Sequence, residues 1–130
     1  MTTIKSYTDL EQSSKLAKIL PLESADMWYQ YTGINIKDGS QKSIYFPMVI
    51  RDNESEEDIP CWSLAALLRA IPKRIKHCNV LTIDISENEF AIRYDEIAYR
   101  VNNDLPDITK DNPVDACVAM VEKLNELSLL

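Results

Sequence analysis

The sequence predicts a single α+β domain, residues 1–130, in which helices cover an antiparallel sheet of about five strands. Strand-like segments arrive as a consecutive pair and then as a consecutive triplet, which favours antiparallel pairing over the alternating βαβ pattern of a parallel sheet. Helix-like segments precede, separate and follow them, in the order α-β-β-α-β-β-β-α. The length suits one domain with its own core, and only two glycines argue against flexible linkers.

The first helix is predicted to begin at Thr8, because Thr8 followed by Glu11 has the spacing of a capping box. Apolar residues then recur at helical spacing between Leu10 and Leu20. Pro21 follows directly and ends the helix.

Two aromatic and β-branched stretches, 27–36 and 44–50, predict a β-hairpin with a turn at Asp38-Gly39. Pro47 has no N–H for a strand ladder, so the second strand should lie at a sheet edge or contain a bulge. Five acidic side chains within residues 52–58 indicate a solvated loop after this hairpin.

A second helix follows, for which Pro60 and Ser63 are alternative starts. Its apolar residues recur at helical spacing, and they are Leu64, Leu67, Leu68 and Ile71. Pro72 ends this helix.

Three runs, 80–85, 89–94 and 97–101, predict a three-stranded meander with turns near Glu87-Asn88 and Asp95-Glu96. The apolar residues that alternate along these runs are Leu81, Ile83, Ile85, Phe90, Ile92, Tyr94, Ile97, Tyr99 and Val101. The opposite, solvated face would then carry Thr82, Asp84, Arg93 and Arg100. This alternation is typical of an antiparallel sheet that packs on one face only.

The last helix has the clearest start, because Asn112 can act as N-cap, Pro113 suits the first helical position, and Asp111 and Asp115 complement the helix dipole. Its apolar face comprises Val114, Cys117, Val118, Met120, Val121, Leu124 and Leu127. We expect this face to pack on the sheet, with Cys117 in the core. Leu129 and Leu130 follow the last apolar turn and are candidates for contact with another chain.

Charge and cysteine content bear on compartment and partners. Fourteen basic and twenty-one acidic residues give a net charge of −7, which disfavours non-specific binding to nucleic acid or anionic membranes. The apolar stretches are too short to span a bilayer. Three widely spaced cysteines and the lack of a signal sequence after Met1 predict a reduced, cytoplasmic setting.

Cys61 is the strongest catalytic candidate, because it lies near the predicted start of the second helix and a helix N-terminus can lower the pKa of a thiol. His77 is the only histidine, so a Cys–His pair would use Cys61 or, less plausibly, the neighbouring Cys78. The apolar residues after Cys61 favour an ordinary buried cysteine instead. No complete catalytic set can be named, and the sequence favours a protein that is not an enzyme.

Metal and acid–base chemistry have weaker support. The cysteines form no close pair of the Cys-x-x-Cys kind, so we predict no metal site and no cofactor. The carboxylates of Asp84, Asp95 and Glu96 are better explained by a solvated face and by the predicted turn.

The only basic cluster comprises Arg69, Lys73, Arg74, Lys76 and His77. It could bind phosphate groups of a nucleic acid. The favoured interpretation is that it solvates the end of the second helix, complements the negative end of its dipole, and pairs with the acidic loop 52–58.

Trp28 and Tyr29 are consecutive strand residues, so they must point to opposite faces of the sheet and cannot both enter one core. Aromatic side chains are frequent anchors of protein interfaces. The leading hypothesis is therefore a protein that binds another protein or itself, as a homodimer, through this aromatic strand face or the basic helix end. Nucleic-acid binding through the basic cluster is the alternative, and no membrane partner is expected.

Three segments also resemble a family of short uncharacterised bacterial proteins of similar length. They are Ile59-Pro60-Cys61-Trp62-Ser63-Leu64-Ala65-Ala66-Leu67-Leu68, Leu22-Glu23-Ser24-Ala25-Asp26-Met27-Trp28-Tyr29 and Asp111-Asn112-Pro113-Val114-Asp115-Ala116-Cys117. The resemblance covers nearly the whole chain and implies an accessory protein of a prophage or other mobile element. It assigns no activity, cofactor or catalytic residue.

Overall fold

The computed structural model describes residues 5–32, 43–51, 54–76, 79–96 and 105–130, and it confirms the α+β fold class. Within these ranges the elements, in chain order, are α1 (Leu10–Leu16), a 3₁₀ helix (Leu22–Ser24), β1 (Met27–Tyr31), β2 (Tyr45–Met48), β3 (Ile59–Cys61), α2 (Leu64–Ala70), β4 (Arg74–Ile75), β5 (Asn79–Ile85), β6 (Phe90–Glu96), β7 (Asp107–Lys110) and α3 (Pro113–Glu126). The strands form two antiparallel sheets rather than the single expected sheet, in the orders β2-β1-β3 and β4-β5-β6-β7.

The first sheet is built on the predicted hairpin. β1 and β2 pair antiparallel, and Pro47 lies in an edge strand as expected. β3, which no sequence pattern had predicted, has three residues that pair with the other side of β1. Because β3 occupies that side, β1 cannot also pair with the later strands. The predicted turn at Asp38-Gly39 and the far end of the first predicted strand lie outside the described residues.

The second sheet contains two strands of the predicted meander. β5 and β6 pair through seven residues on each strand, and the Ser86 N–H donates to the Glu89 carbonyl (3.0 Å) in the turn that joins them. The predicted turn at Asp95-Glu96 is wrong, because β6 continues to Glu96, which lies opposite Asn79. The third predicted strand, 97–101, lies outside the described residues. β7, which no sequence pattern had predicted, pairs with β6.

Helix α1 begins one residue later than predicted. Its N-cap is Asp9, whose carboxylate accepts the N–H of Gln12 (2.8 Å), and the Gln12 side chain accepts the N–H of Asp9 (3.2 Å). The Thr8 hydroxyl is instead buried and accepts the N–H of Trp62 (3.1 Å). A residue engaged in this tertiary contact cannot cap the helix, so the capping box moves to the next position.

Helix α2 begins after Ser63, which settles the choice between the two predicted starts. The Ser63 hydroxyl accepts the N–H of Ala66 (3.2 Å), and its own N–H donates to the carboxylate of Asp26 (2.9 Å). Pro60 belongs to β3 instead.

Helix α3 packs over β6 and β7 and also contacts α2, so the prediction that it lies on the sheet is confirmed. The buried residues of α3 are Val114, Ala116, Cys117, Val118, Met120, Val121 and Leu124. Leu127, which we placed on this face, is exposed. Phe90, Ile92 and Tyr94 are buried as predicted, whereas Ile83 and Ile85, which were predicted on the same face, are 36% and 77% exposed.

Candidate interaction surface

Trp28 and Tyr29 lie on opposite faces of the first sheet, and Tyr29 is the buried one. Its hydroxyl donates to the backbone carbonyl of Thr8 (2.7 Å), which ties β1 to the segment before α1. The edge of the Tyr7 ring packs against it, with 6.4 Å between ring centroids. Burial raises the pKa of Tyr29. This side of β1 therefore belongs to the interior.

Trp28 lies on the other face, where it is half-buried under a cation. The guanidinium carbon of Arg51 lies 3.8 Å from the centre of a Trp28 ring, which is a cation–π contact. Met48 is its cross-strand neighbour on β2.

An exposed apolar surface extends from Trp28 along β2 and past its end. The strand register places Phe46 and Met48 on the same face as Trp28. Phe46 is 51% exposed, and the two residues that follow β2, Val49 and Ile50, are 71% and 77% exposed. We call these five residues the apolar surface. The sequence predicted Trp28 as a contact residue but not Val49 and Ile50. The available signal for these two was an edge strand that ends in two apolar residues before an acidic loop.

The loop that follows the apolar surface contains both buried and exposed carboxylates. Asp58, expected in a solvated loop, is buried and ion-paired to Arg51 (Nη1–Oδ2 3.0 Å). It accepts the N–H groups of Tyr31 (2.9 Å) and Ser55 (3.1 Å). Burial by itself would raise the pKa of Asp58, but these N–H donors and Arg51 together lower it. The exposed carboxylates are Glu54, Glu56 and Glu57.

The outer edge of β2 is poorly suited to accept another strand. The Thr32 N–H donates to the Ile44 carbonyl (3.0 Å). Because antiparallel hydrogen bonds occur at alternate pairs, the backbone nitrogen of Pro47 points away from β1. The outer edge therefore lacks an N–H donor at that position, which is a common protection against edge-to-edge pairing. A partner is better accommodated on the face of the sheet than on this edge.

The basic cluster lies at the C-terminal end of α2. Lys73 donates to the carbonyl of Ile71 (2.8 Å) and also to that of Leu68, so it complements the end of the helix as expected. Arg69, Arg74 and Lys76 are exposed, and His77 lies outside the described residues. The described ion pairs of the acidic loop are made to Arg51 and not to this cluster.

The C-terminal leucines have different environments. Ser128 has a positive φ of 57°, and the N–H groups of Ser128 and Leu129 donate to the carbonyls of Asn125 (3.1 Å) and Leu124 (2.9 Å). This pattern is a Schellman motif, in which the residue after the left-handed position packs back on the helix. Leu129 packs against the core, whereas Leu130 is 47% exposed. Of the two, Leu130 is the more available for an external contact.

The cysteines within the described residues are buried. Burial raises the pKa of Cys61 above its ordinary value, and its sulfur lies 3.6 Å from the Thr8 hydroxyl. Burial also raises the pKa of Cys117 to about 12. Such an environment opposes thiolate formation and access by a substrate. The partner proposed for a Cys–His pair, His77, and also Cys78 are outside the described residues.

Two of the carboxylates considered for acid–base chemistry, Asp84 and Asp95, pair with an arginine. The Arg93 guanidinium lies 3.0 Å from Asp95 and also pairs with Asp84, on the outer face of the second sheet. These hydrogen bonds raise the pKa of Arg93. Among the residues that the structure describes, no group of three His, Cys, Asp or Glu side chains is placed to hold a metal ion.

Two open grooves, of about 460 and 350 Å³, lie side by side along α3. The larger is lined by Pro106, Asp107, Ile108, Thr109, Lys110, Ala119, Glu122, Lys123 and Glu126. The smaller shares Lys110, Ala119 and Glu122 with it and is also lined by Lys5, Asp9, Glu11, Gln12, Lys15, Asp115 and Val118. Charged side chains of both signs dominate these linings, whereas small-molecule sites are mostly apolar with a few convergent polar groups.

No helix in the described part of the chain is both long and apolar enough to cross a membrane. No protein-family model, curated protein sequence or solved structure matches the chain. The resemblance to short bacterial proteins therefore stays a prediction, and the apolar surface on the first sheet is the best-defined candidate site.

Proposed function

We propose that the protein acts by binding another protein through the apolar surface. The observation that carries the proposal is the joint exposure of Phe46 on β2 and of Val49 and Ile50 directly after it. Single exposed apolar residues are normal in monomeric proteins, but neighbouring exposed apolar residues are typical of interaction sites. Trp28 extends this surface, and tryptophan is enriched among residues that dominate binding energy.

Covering this surface would contribute favourable free energy to a complex. Complete burial of one large aliphatic side chain contributes about 1.5–3 kcal/mol. Val49 and Ile50 retain most of their exposure in the free protein, so a partner can recover most of this contribution from each. The half-buried Trp28 and its Arg51 neighbour are already in contact, so they require little reordering on binding.

Ile50→Asp tests the proposal, with Ile85→Asp as a matched control. Both isoleucines are 77% exposed, but Ile85 lies on the other sheet. The tagged variants and the wild-type chain are compared by affinity capture from native cells and by light scattering. We expect a stable complex, with a protein or with a second copy, that survives Ile85→Asp and is lost with Ile50→Asp. Urea unfolding midpoints confirm that both variants fold.

Two results would refute the proposal. One is a monomer that captures nothing, and the other is a set of captured proteins that is the same for both variants. The first result would also remove the main reason to regard the exposed residues as functional.

The alternative of nucleic-acid binding has less structural support, because Lys73 is engaged with the carbonyls of α2. Binding of labelled DNA and RNA over a salt series distinguishes it, since phosphate contacts weaken steeply as salt rises. Charge-neutralising substitution of the exposed Arg69 and Arg74 should abolish such binding if it occurs.

A further inference from the structure

Given the proposed interaction through the apolar surface, on which this inference rests, we infer that the partner is a protein whose docking face is apolar at its centre and basic at its rim. The inference follows from how charge is distributed beside the apolar surface. It specifies the chemistry of the partner and favours a different protein over a symmetric pair of this chain at this surface.

The cation next to the apolar surface is already neutralised within the protein. Arg51 lies over Trp28 and pairs with Asp58, whose side chain has no solvent exposure. Because the side chain of Arg51 is itself only 16% exposed, this ion pair presents little positive charge to a partner. The contribution of this pair is mainly to fix the loop against the sheet.

In the part of the loop after Arg51 that the structure describes, Glu54, Glu56 and Glu57 are exposed carboxylates. The Glu54 carboxylate lies 3.5 Å from the Arg51 guanidinium that covers Trp28, and its side chain is 81% exposed. Glu56 and Glu57 follow it and are also exposed. We call Glu54, Glu56 and Glu57 the acidic rim, because Glu54 lies beside the apolar surface and the other two follow it in the same loop. Complementary charge across an interface accelerates association and suppresses wrong partners.

A second copy of the chain would bring a second acidic rim to this surface instead of basic side chains. A two-fold dimer uses the same surface on both subunits, so a contact centred on the apolar surface would place two acidic rims in one interface. Each subunit also carries a net charge of −7. Like charges repel wherever the two rims approach each other, whereas lysine or arginine side chains on a different protein would pair with the rim.

The occupant also contacts the sheet face, not the strand edge. Pro47 removes the outward N–H in the middle of β2, so a partner strand would lose a ladder hydrogen bond there. We therefore expect side-chain contacts with Phe46, Val49 and Ile50 to dominate. An amphipathic helix with a basic polar face is a suitable model of such a partner.

Calorimetric titration with two synthetic amphipathic helical peptides tests the inference. The peptides share the same leucine face and carry either lysine or glutamate on the polar face. The proteins are the wild-type chain, Ile50→Asp, Ile85→Asp, and the triple variant Glu54→Gln, Glu56→Gln, Glu57→Gln. The matched triple control is Glu87→Gln, Glu89→Gln, Glu126→Gln, which removes three exposed carboxylates far from the apolar surface in sequence and changes the net charge equally.

We expect the lysine peptide to bind the wild-type chain and the glutamate peptide to bind at least tenfold more weakly. Neutralising the acidic rim should weaken the lysine peptide about five- to tenfold at ~50 mM salt, with a smaller difference at ~300 mM. The control triple variant should lose less than about twofold. Ile50→Asp should reduce affinity by about tenfold or more, and Ile85→Asp should leave it unchanged.

The possible failures point to different steps. Equal effects of the two triple variants, equal affinity for the two peptides, or no binding of the lysine peptide would overturn the basic-rim inference. Equal effects of Ile50→Asp and Ile85→Asp on a peptide that does bind would instead contradict the proposed role of the apolar surface. A symmetric dimer that Ile50→Asp dissociates would support protein binding but overturn the partner chemistry.

Discussion

Replacing Asp58 with asparagine should lower the free energy of unfolding by about 2–4 kcal/mol. The carboxylate is buried, accepts two backbone N–H groups and pairs with Arg51. Asparagine can still accept hydrogen bonds, but it leaves the largely buried Arg51 without its closest counter-charge. Hydrogen bonds to charged groups contribute about 1.5–3 kcal/mol, and breaking a buried ion pair costs about 3–5 kcal/mol. We expect a loss below the upper end of this range because Arg51 still contacts Glu54 and Trp28 in the variant.

Urea unfolding at neutral pH measures this loss, and Glu54→Gln is the matched control. Glu54 reaches the same guanidinium at 3.5 Å, but its side chain is 81% exposed, so we expect a cost below about 0.5 kcal/mol. Equal destabilisation by the two variants would refute the claim that burial gives Asp58 its importance.

The pH dependence gives an independent check on Asp58. Its pKa is lower in the folded protein than its ordinary value of 3.8, so its contribution is fully present above about pH 4. The contribution declines as the pH falls through the lower, folded pKa. The stability difference between the wild-type chain and Asp58→Asn should therefore shrink in acid. A difference that stays constant down to pH 2 would contradict this assignment.

Three further perturbations have defined outcomes. Thr8→Val should cost about 1–3 kcal/mol in urea unfolding, because it leaves the buried N–H of Trp62 without its acceptor at 3.1 Å, and an unchanged midpoint would contradict this. Burial would raise the pKa of Asp115, but hydrogen bonds from Lys5 and its other neighbours lower it to about 2. Asp115→Asn should therefore lower the free energy of unfolding by about 1 kcal/mol after allowance for solvent screening, a contribution that the wild-type chain loses only as the pH falls below about 4 towards 2. Deleting Leu130 alone should change stability by less than about 0.5 kcal/mol, whereas deleting Leu129 as well should cost about 1–2 kcal/mol, and equal losses would show that the two have the same environment.

The local features of the sequence determined much of the fold. The N-cap of α3 at Asn112, the β1–β2 hairpin and the edge position of Pro47 all follow from residue types a few positions apart. Alternation along β6 identified its buried face as well. These predictions succeed because capping, proline geometry and strand alternation depend on neighbouring residues only.

Long-range pairing decided the rest. The division into two sheets depends on β3, three residues that form a strand only because β1 offers a free side. Likewise, Thr8 has the local pattern of a helix cap, but its hydroxyl accepts the N–H of Trp62, which is distant in sequence. No local pattern contains such partners, so a short segment cannot show which of two uses a side chain will have.

The same distinction applies to the candidate site. The sequence showed that Trp28 and Tyr29 must face opposite ways, but the contact with Thr8 decided that Tyr29 is the buried one. It also showed an acidic loop, but only the tertiary structure separates the buried Asp58 from the exposed acidic rim. Burial is a property of what the rest of the chain packs against a residue, and that packing leaves Val49 and Ile50 uncovered.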